Sequence, residues 1–241
     1  MYKNNQNIEI RGSQMKKVIL ISLILVLGLA ANGLADTLTF NYDYVFSGYT
    51  PGGTTPWLTA TFEDLTDGVK LSLSASGLTG GEFIKGGAND KGWYFNFNPV
   101  KDLSALIFAF DSGTNNADGI VTGIDAFKAD GDGYYDILFH WKDNELITGQ
   151  TAVYLITGIA DIEVLDFNFF STPKKNDETS FLSAAHVQGI GSGSGWVAPT
   201  EGNYDDGGGG GGNGVPEPST IILLGAGLFG LGLFGKRNFK K

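Results

Sequence analysis

Apolar side chains recur at every second position through most of this chain, and that period commits it to β-structure. Leu38, Phe40, Tyr42, Tyr44 and Phe46 alternate with Thr37, Thr39, Asn41 and Asp43. Val69, Leu71, Leu73 and Ala75 alternate with Lys70, Ser72 and Ser74. Trp93, Phe95 and Phe97 alternate with Tyr94, Asn96 and Asn98, and Ile137, Phe139 and Trp141 with Leu138, His140 and Lys142. Successive side chains of a strand point to opposite faces, so each run turns one face towards a core. Further strands are expected at 57–63, 104–110, 120–127, 151–157, 162–170 and 181–190. Turn clusters separate them, among them Thr79-Gly80-Gly81, Gly86 to Asp90, Asp111 to Gly119, Asp143-Asn144 and Lys174 to Asp177. Roughly nine or ten short strands at this spacing predict an all-β fold. The expected architecture is an antiparallel β-sandwich, jelly-roll-like, over residues 36–200, with a closed barrel as the second possibility. No amphipathic helix is visible outside the terminal segments.

Charge narrows the partners. Residues 36–235 hold 8 lysines and no arginine against 25 aspartates and glutamates, a net of −17. The whole-chain value of −10 hides this, because half of the cations sit near the two ends. A polyanion repels nucleic acid and anionic lipid, so neither is an expected partner. Divalent cations and neutral glycans suit it better. The chain has no cysteine, which excludes disulfides, thiol catalysis and thiolate zinc sites.

The N-terminal region reads as an export signal. Met15-Lys16-Lys17 opens it, Val18 to Leu29 is apolar, and Gly33-Leu34-Ala35 places small residues before a cut. A signal peptide over 15–35 would be removed by signal peptidase between Ala35 and Asp36. Residues 1–14 are polar and precede a natural start, and read as an upstream, misassigned one.

At the other end, residues 201–214 form a linker in which Asp205 to Gly214 reads DDGGGGGGNG, a composition unable to bury a core. Residues 215–241 then hold three parts in order. Pro216-Glu217-Pro218 comes first, an uncharged run of 17 residues from Ser219 to Gly235 follows, and Lys236, Arg237, Lys240 and Lys241 close it. As a helix the run would span about 26 Å, a little short of a ~30 Å hydrocarbon core. The cations beyond it favour a membrane span with a cytoplasmic C-terminus, and their long side chains can make up the length. The two prolines keep the tripeptide extended ahead of the helix. Gly225-Gly227-Gly230 and Gly230-Gly232-Gly235 spell GxGxxG, but without the preceding strand and following acid that a dinucleotide site needs.

This tail resembles the PEP-CTERM sorting signal: Pro-Glu-Pro, a Gly-rich transmembrane helix, a basic cluster. Asn238 and Phe239 interrupt the cluster where many members carry an unbroken arginine run. The resemblance implies recognition by an exosortase, a membrane protease or transpeptidase of Gram-negative bacteria. It implies an inner-membrane-anchored precursor and then a place at the cell surface or in an exopolysaccharide matrix. The same signal also occurs on proteins labelled ice-binding. Ala184 to Pro199, AAHVQGIGSGSGWVAP, looks like a stretch common before the linker in such proteins, with no site role attached.

Candidate chemistry inside the domain is sparse. Asp130, Asp132 and Asp136 have the i, i+2, i+6 spacing of calcium loops, with Asp125 as a further donor. Lys128 stands where such a loop has its first ligand, and Phe139 where it has its last. The competing reading is an acidic hairpin turn. His140 and His186 are the only histidines, with no metalloprotease or nucleophile-elbow motif around either. His140 is expected to face outward, and Trp93 and Trp141 to lie in the core. Trp196, after Gly191-Ser192-Gly193-Ser194-Gly195, is the tryptophan expected to be exposed and free to stack on a sugar. No catalytic residues and no cofactor other than possible Ca²⁺ are expected. The domain reads as a structural or matrix-interaction protein. A glycan-, calcium- or ice-binding module is the alternative, with a hydrolase less favoured.

Overall fold

The computed structural model describes residues 35–85, 91–174 and 179–205. The chain divides into two compact units, Met1–Gly207 and Gly208–Lys241, and every described residue belongs to the first. The expected signal peptide before Ala35, residues 206–214 of the linker, Pro216, Glu217, Pro218 and the helix at 219–235 lie outside the described residues. Among the described residues no helix is long and apolar enough to cross a membrane.

The strands are β1 (Thr37–Gly48), β2 (Leu58–Leu65), β3 (Gly68–Ser74), β4 (Phe83–Ile84), β5 (Trp93–Phe95) and β6 (Ile107–Gly113). They continue with β7 (Gly119–Lys128), β8 (Tyr134–His140), β9 (Leu146–Ile147), β10 (Thr151–Thr157), β11 (Ser183–Ile190) and β12 (Gly193–Asp205). All pair antiparallel in one sheet of order β6-β10-β3-β2-β1-β12-β11-β5-β8-β7, with β4 and β9 attached beside β11. The all-β, antiparallel expectation therefore holds. The ladder is continuous rather than split into two stacked sheets, and it curls until it is nearly closed into a barrel-like shape.

Contacts between the two ends of the sheet show the curl. Phe108 of β6 meets Phe139 of β8 edge to face at 5.5 Å. The connection between β6 and β7 bridges the same two ends. Thr114 N donates to Thr151 O at 2.7 Å and Asp118 N to His140 O at 2.9 Å. Ala117 N donates to the Tyr154 hydroxyl at 2.7 Å. No backbone pairing joins β6 to β7, so these contacts close the core without closing the ladder.

The alternation read from sequence fills much of the interior, except that Tyr44 is 46% exposed and Phe46 packs on the outer side of the sheet. Leu38, Phe40 and Tyr42 of β1, Leu58, Ala60 and Phe62 of β2, and Val69, Leu71 and Leu73 of β3 are all buried. Rings dominate: Phe62 meets Phe95 edge to face at 5.4 Å and stacks on Phe167 at 4.5 Å. Such pairs add about 0.5–1.5 kcal/mol each beyond the area they bury. Trp93 and Trp141 are in this core, as expected.

Three departures matter. Residues 162–170 do not form a strand. Val164–Phe167 is a 3₁₀ turn, held by Val164 N donating to Asp64 Oδ1 at 2.8 Å and Glu163 N to Asp166 Oδ2 at 3.0 Å. The turn places Phe167 in the core, and Asn98 Nδ2 donates to Asp166 Oδ1 at 2.8 Å. Second, β12 forms beyond the last expected strand, across the Gly-rich segment around Trp196, and it runs to Asp205, into the segment read as linker. Third, β5, β8 and β11 are buried on both faces. Tyr94, Tyr135, Leu138, Ala184 and Trp196 make a second, smaller core on the outer side of the sheet, with Phe46 packed against it.

Candidate functional site

Burial on that outer side decides the fate of the acidic loop. Asp132 is fully buried at the edge of the second core. Its Oδ1 accepts from Gly133 N at 2.6 Å and from Ser171 Oγ at 2.8 Å, and its Oδ2 accepts from the Tyr135 hydroxyl. Burial pushes its carboxyl up from the ordinary value, against these hydrogen bonds. Asp136 faces another way: Oδ1 accepts from Asp125 N at 2.8 Å and Oδ2 from Phe97 N at 3.1 Å. Burial raises its carboxyl as well. Asp130 is exposed and accepts from Ser47 Oγ at 3.1 Å. The three carboxylates that sequence spacing aligned are thus engaged with three separate sets of donors. Among the described residues, no group of three or more His, Asp or Glu gathers as a metal ligand set. Of the two readings, calcium loop and acidic hairpin turn, the described geometry has the form of a turn: Lys128 pairs with Tyr134 across it and Asp132 is buried.

Trp196 is 4% exposed, which corrects the expectation that it is free. Tyr94 stacks on it at 5.4 Å, Phe46 lies tilted at 6.3 Å and the His186 ring at 4.7 Å. Its ring faces are covered, so it cannot serve as a sugar platform. The Gly-Ser run before it led to the expectation that it is free; β12 is instead an interior strand between β1 and β11, and Gly195 to Pro199 are buried.

The same strands build the candidate site. A hollow of about 570 Å³ opens beside Trp196. Ser47 and Gly48 enter from the end of β1, Ser194 and Trp196 from β12, and His186 from β11. Lys128 ends β7, Ala129 and Asp130 follow it, and Lys91 precedes β5. His186 alternates with Ala185 and Val187, which face the main core, so its ring lies on the outer side. It is 2% exposed, and its Nδ1 has no hydrogen-bond partner. Burial, then the Lys91 and Lys85 ammoniums, depress its pKa to about 4, against the opposing pull of Asp130. The imidazole is therefore neutral near pH 7. Lys128 Nζ lies 5.4 Å from the Tyr134 ring centroid.

None of Ser47, Lys91, Lys128, His186 and Ser194 stood out in sequence as a site. Their separation along the chain hid them; the one available signal was that lysine is scarce in so acidic a domain. The other histidine, His140, is half-buried, with an enclosed Nδ1 that lacks a partner. Ala35 is exposed and Asp36 half-buried, one position ahead of β1.

Comparison with known proteins bears on the tail. Residues 214–237 match the PEP-CTERM protein-sorting motif. No curated protein and no solved structure matches the chain. The chain therefore carries a PEP-CTERM sorting signal, the mark of an exported protein processed by an exosortase.

Proposed function

We propose that the chain is held as a precursor in the inner membrane by residues 219–235 and processed by exosortase at Pro216-Glu217-Pro218. The β-domain then serves at the cell surface or in an exopolysaccharide matrix, as a structural or matrix-interaction domain without catalytic activity. The sorting motif at 214–237 carries this reading. The position of β1 supports the other cut. A signal peptidase acting after exposed Ala35 leaves the first strand, which begins at Thr37, intact. The acidic surface supports a place away from anionic lipid. The test is Glu217→Ala in a host that has an exosortase. Uncleaved precursor should accumulate in the membrane fraction, and the exported parent chain should begin DTLTF. Unchanged chain mass and secretion in the variant would sink the sorting reading.

A second reading, an ice- or polyol-binding face, has one observation behind it. On the outer side of β1, β2 and β3, Thr39 stands opposite Thr61, and Thr61 opposite Ser72. The next row aligns Asn41, Thr59, Ser74 and Thr151. These rows place hydroxyls at the ~4.8 Å strand spacing over a half-buried face. The Lys70–Glu63 ion pair interrupts the array. Thermal hysteresis in a freezing assay is the measurement that favours this reading; its absence leaves the matrix role.

A further inference from the structure

We infer that the fold fixes the order in which the exported chain is processed. The cut between Ala35 and Asp36, itself part of the reading above, comes before β12 pairs with β1, because the closed sheet shuts that bond away. The cut is a hydrolysis: water adds across the Ala35–Asp36 amide, Ala35 leaves as a carboxylate and Asp36 becomes the new amino terminus. For this a peptidase takes the chain on both sides of the bond in extended form, with its backbone groups free of other partners. Cutting therefore follows the population of chains in which that segment is open.

The folded domain denies that form to the first residues after the bond. Asp36 is half-buried, and its carbonyl oxygen accepts from Asp64 N at 2.9 Å. Thr37 is paired on both sides, with Glu63 of β2 and with Asp205 of β12. Leu38 follows, opposite Phe62 and Tyr204, with its side chain fully buried in the core. A terminus is readily nicked where it is loose, and β1 ties this one down as an interior strand. Freeing the residues from Asp36 to Leu38 draws a core leucine out and breaks pairing to two neighbours at once. One of those neighbours arrives late: β2 follows β1 in sequence, whereas β12 is the last strand and ends at Asp205. Until β12 arrives, β1 has one free edge and no complete core to hold Leu38. The bond is open while the chain is still emerging and closed once the sheet is complete.

The experiment uses the full chain in detergent with a purified bacterial type I signal peptidase. In one arm the chain is diluted out of urea directly into peptidase. In the other it is refolded first and peptidase is added afterwards. The first arm should yield a chain beginning DTLTF. The refolded chain should be cut at least about tenfold more slowly, since only its transiently opened fraction is attacked. A variant carries a spacer of about six Gly and Ser residues between Asp36 and Thr37, which moves the bond off the ladder. Refolded, it should be cut about as fast as the parent in the first arm, with near-ultraviolet circular dichroism like the parent's. Equal rates in the two arms for the parent overturn the inference, and so does a refolded spacer variant that resists as the parent does. No cut after Ala35 in either arm overturns the signal-peptide reading and the inference with it, so the two failures are told apart. The comparison of arms needs no variant, so it decides even if the spacer chain misfolds.

Discussion

Ser171 Oγ donates a hydrogen bond of 2.8 Å to Asp132 Oδ1, across 39 positions of chain. That bond converts an acidic turn into an anchor. Ser171 in turn accepts from Phe181 N at 3.2 Å, and Thr172 exchanges backbone bonds of 3.0 Å with Tyr134. The segment after the 3₁₀ turn is thereby pinned against β8, beside the second core.

Asp132→Ala should therefore destabilise the fold by about 3 kcal/mol, because Gly133 N–H and the Tyr135 and Ser171 hydroxyls lose a buried acceptor. Burial raises this carboxyl in the folded state, so its contribution is complete below the unfolded value of about 4 and is lost as pH rises through the folded value. Urea unfolding of parent and Asp132→Asn at several pH values should show the parent's advantage shrinking as pH rises. Melting curves with millimolar calcium and with chelator should superimpose, since the three loop carboxylates have separate partners. A calcium-dependent rise in the parent that Asp132→Ala abolishes would restore the metal reading.

His186 should impose the opposite pH dependence. Its folded pKa is about 4 against about 6.5 unfolded, so its contribution is present above 6.5 and is lost as pH falls towards 4. Burial, Lys91 and Lys85 set that value, and Asp130 opposes them. The difference amounts to roughly 3 kcal/mol at most. Comparing the parent with His186→Gln by urea unfolding between pH 7 and pH 4 should show the parent losing about that much more. A pH-independent gap between the two would mean that no neutral imidazole is held there.

Trp196→Ala should cost about 3–5 kcal/mol, the usual range for emptying a buried tryptophan site. Tyr94, Phe46 and His186 all lose ring contacts. Trp196→Phe should cost less. Chemical denaturation measures both, and a change under ~0.5 kcal/mol for the alanine variant would show Trp196 to be a surface residue after all.

Gly189 sits at φ +78°, and a Cβ there would lie 1.9 Å from the Gly81 carbonyl oxygen. Gly189→Ala should destabilise by roughly 2–4 kcal/mol, combining left-handed backbone strain with overpacking against main chain. Gly131 has the same sign of φ, +82°, and nothing within 4 Å, so Gly131→Ala should cost only the backbone part. Equal losses at the two positions would argue against the close approach of β11 to the 81–82 turn.

The sequence alone determined the β-period, the interior of β3 and β8 and of β1 as far as Tyr42, and the sorting signal of the tail. Alternation is local, set by neighbours two residues apart, and the three-part tail works through residue type and order. Other features needed partners far along the chain. The Gly-Ser run before Trp196 gives no strand pattern, but β1 and β11 flank β12 and supply backbone partners, so a strand forms and Trp196 is buried. Residues 162–170 have strand-like hydrophobicity, yet Asp64, about a hundred positions away, caps a turn there instead. Tertiary packing also decided that Asp130, Asp132 and Asp136 would part company. Lys91, Lys128, His186 and the two serines met around one hollow because strand order, which no local pattern encodes, set β1, β12 and β11 side by side.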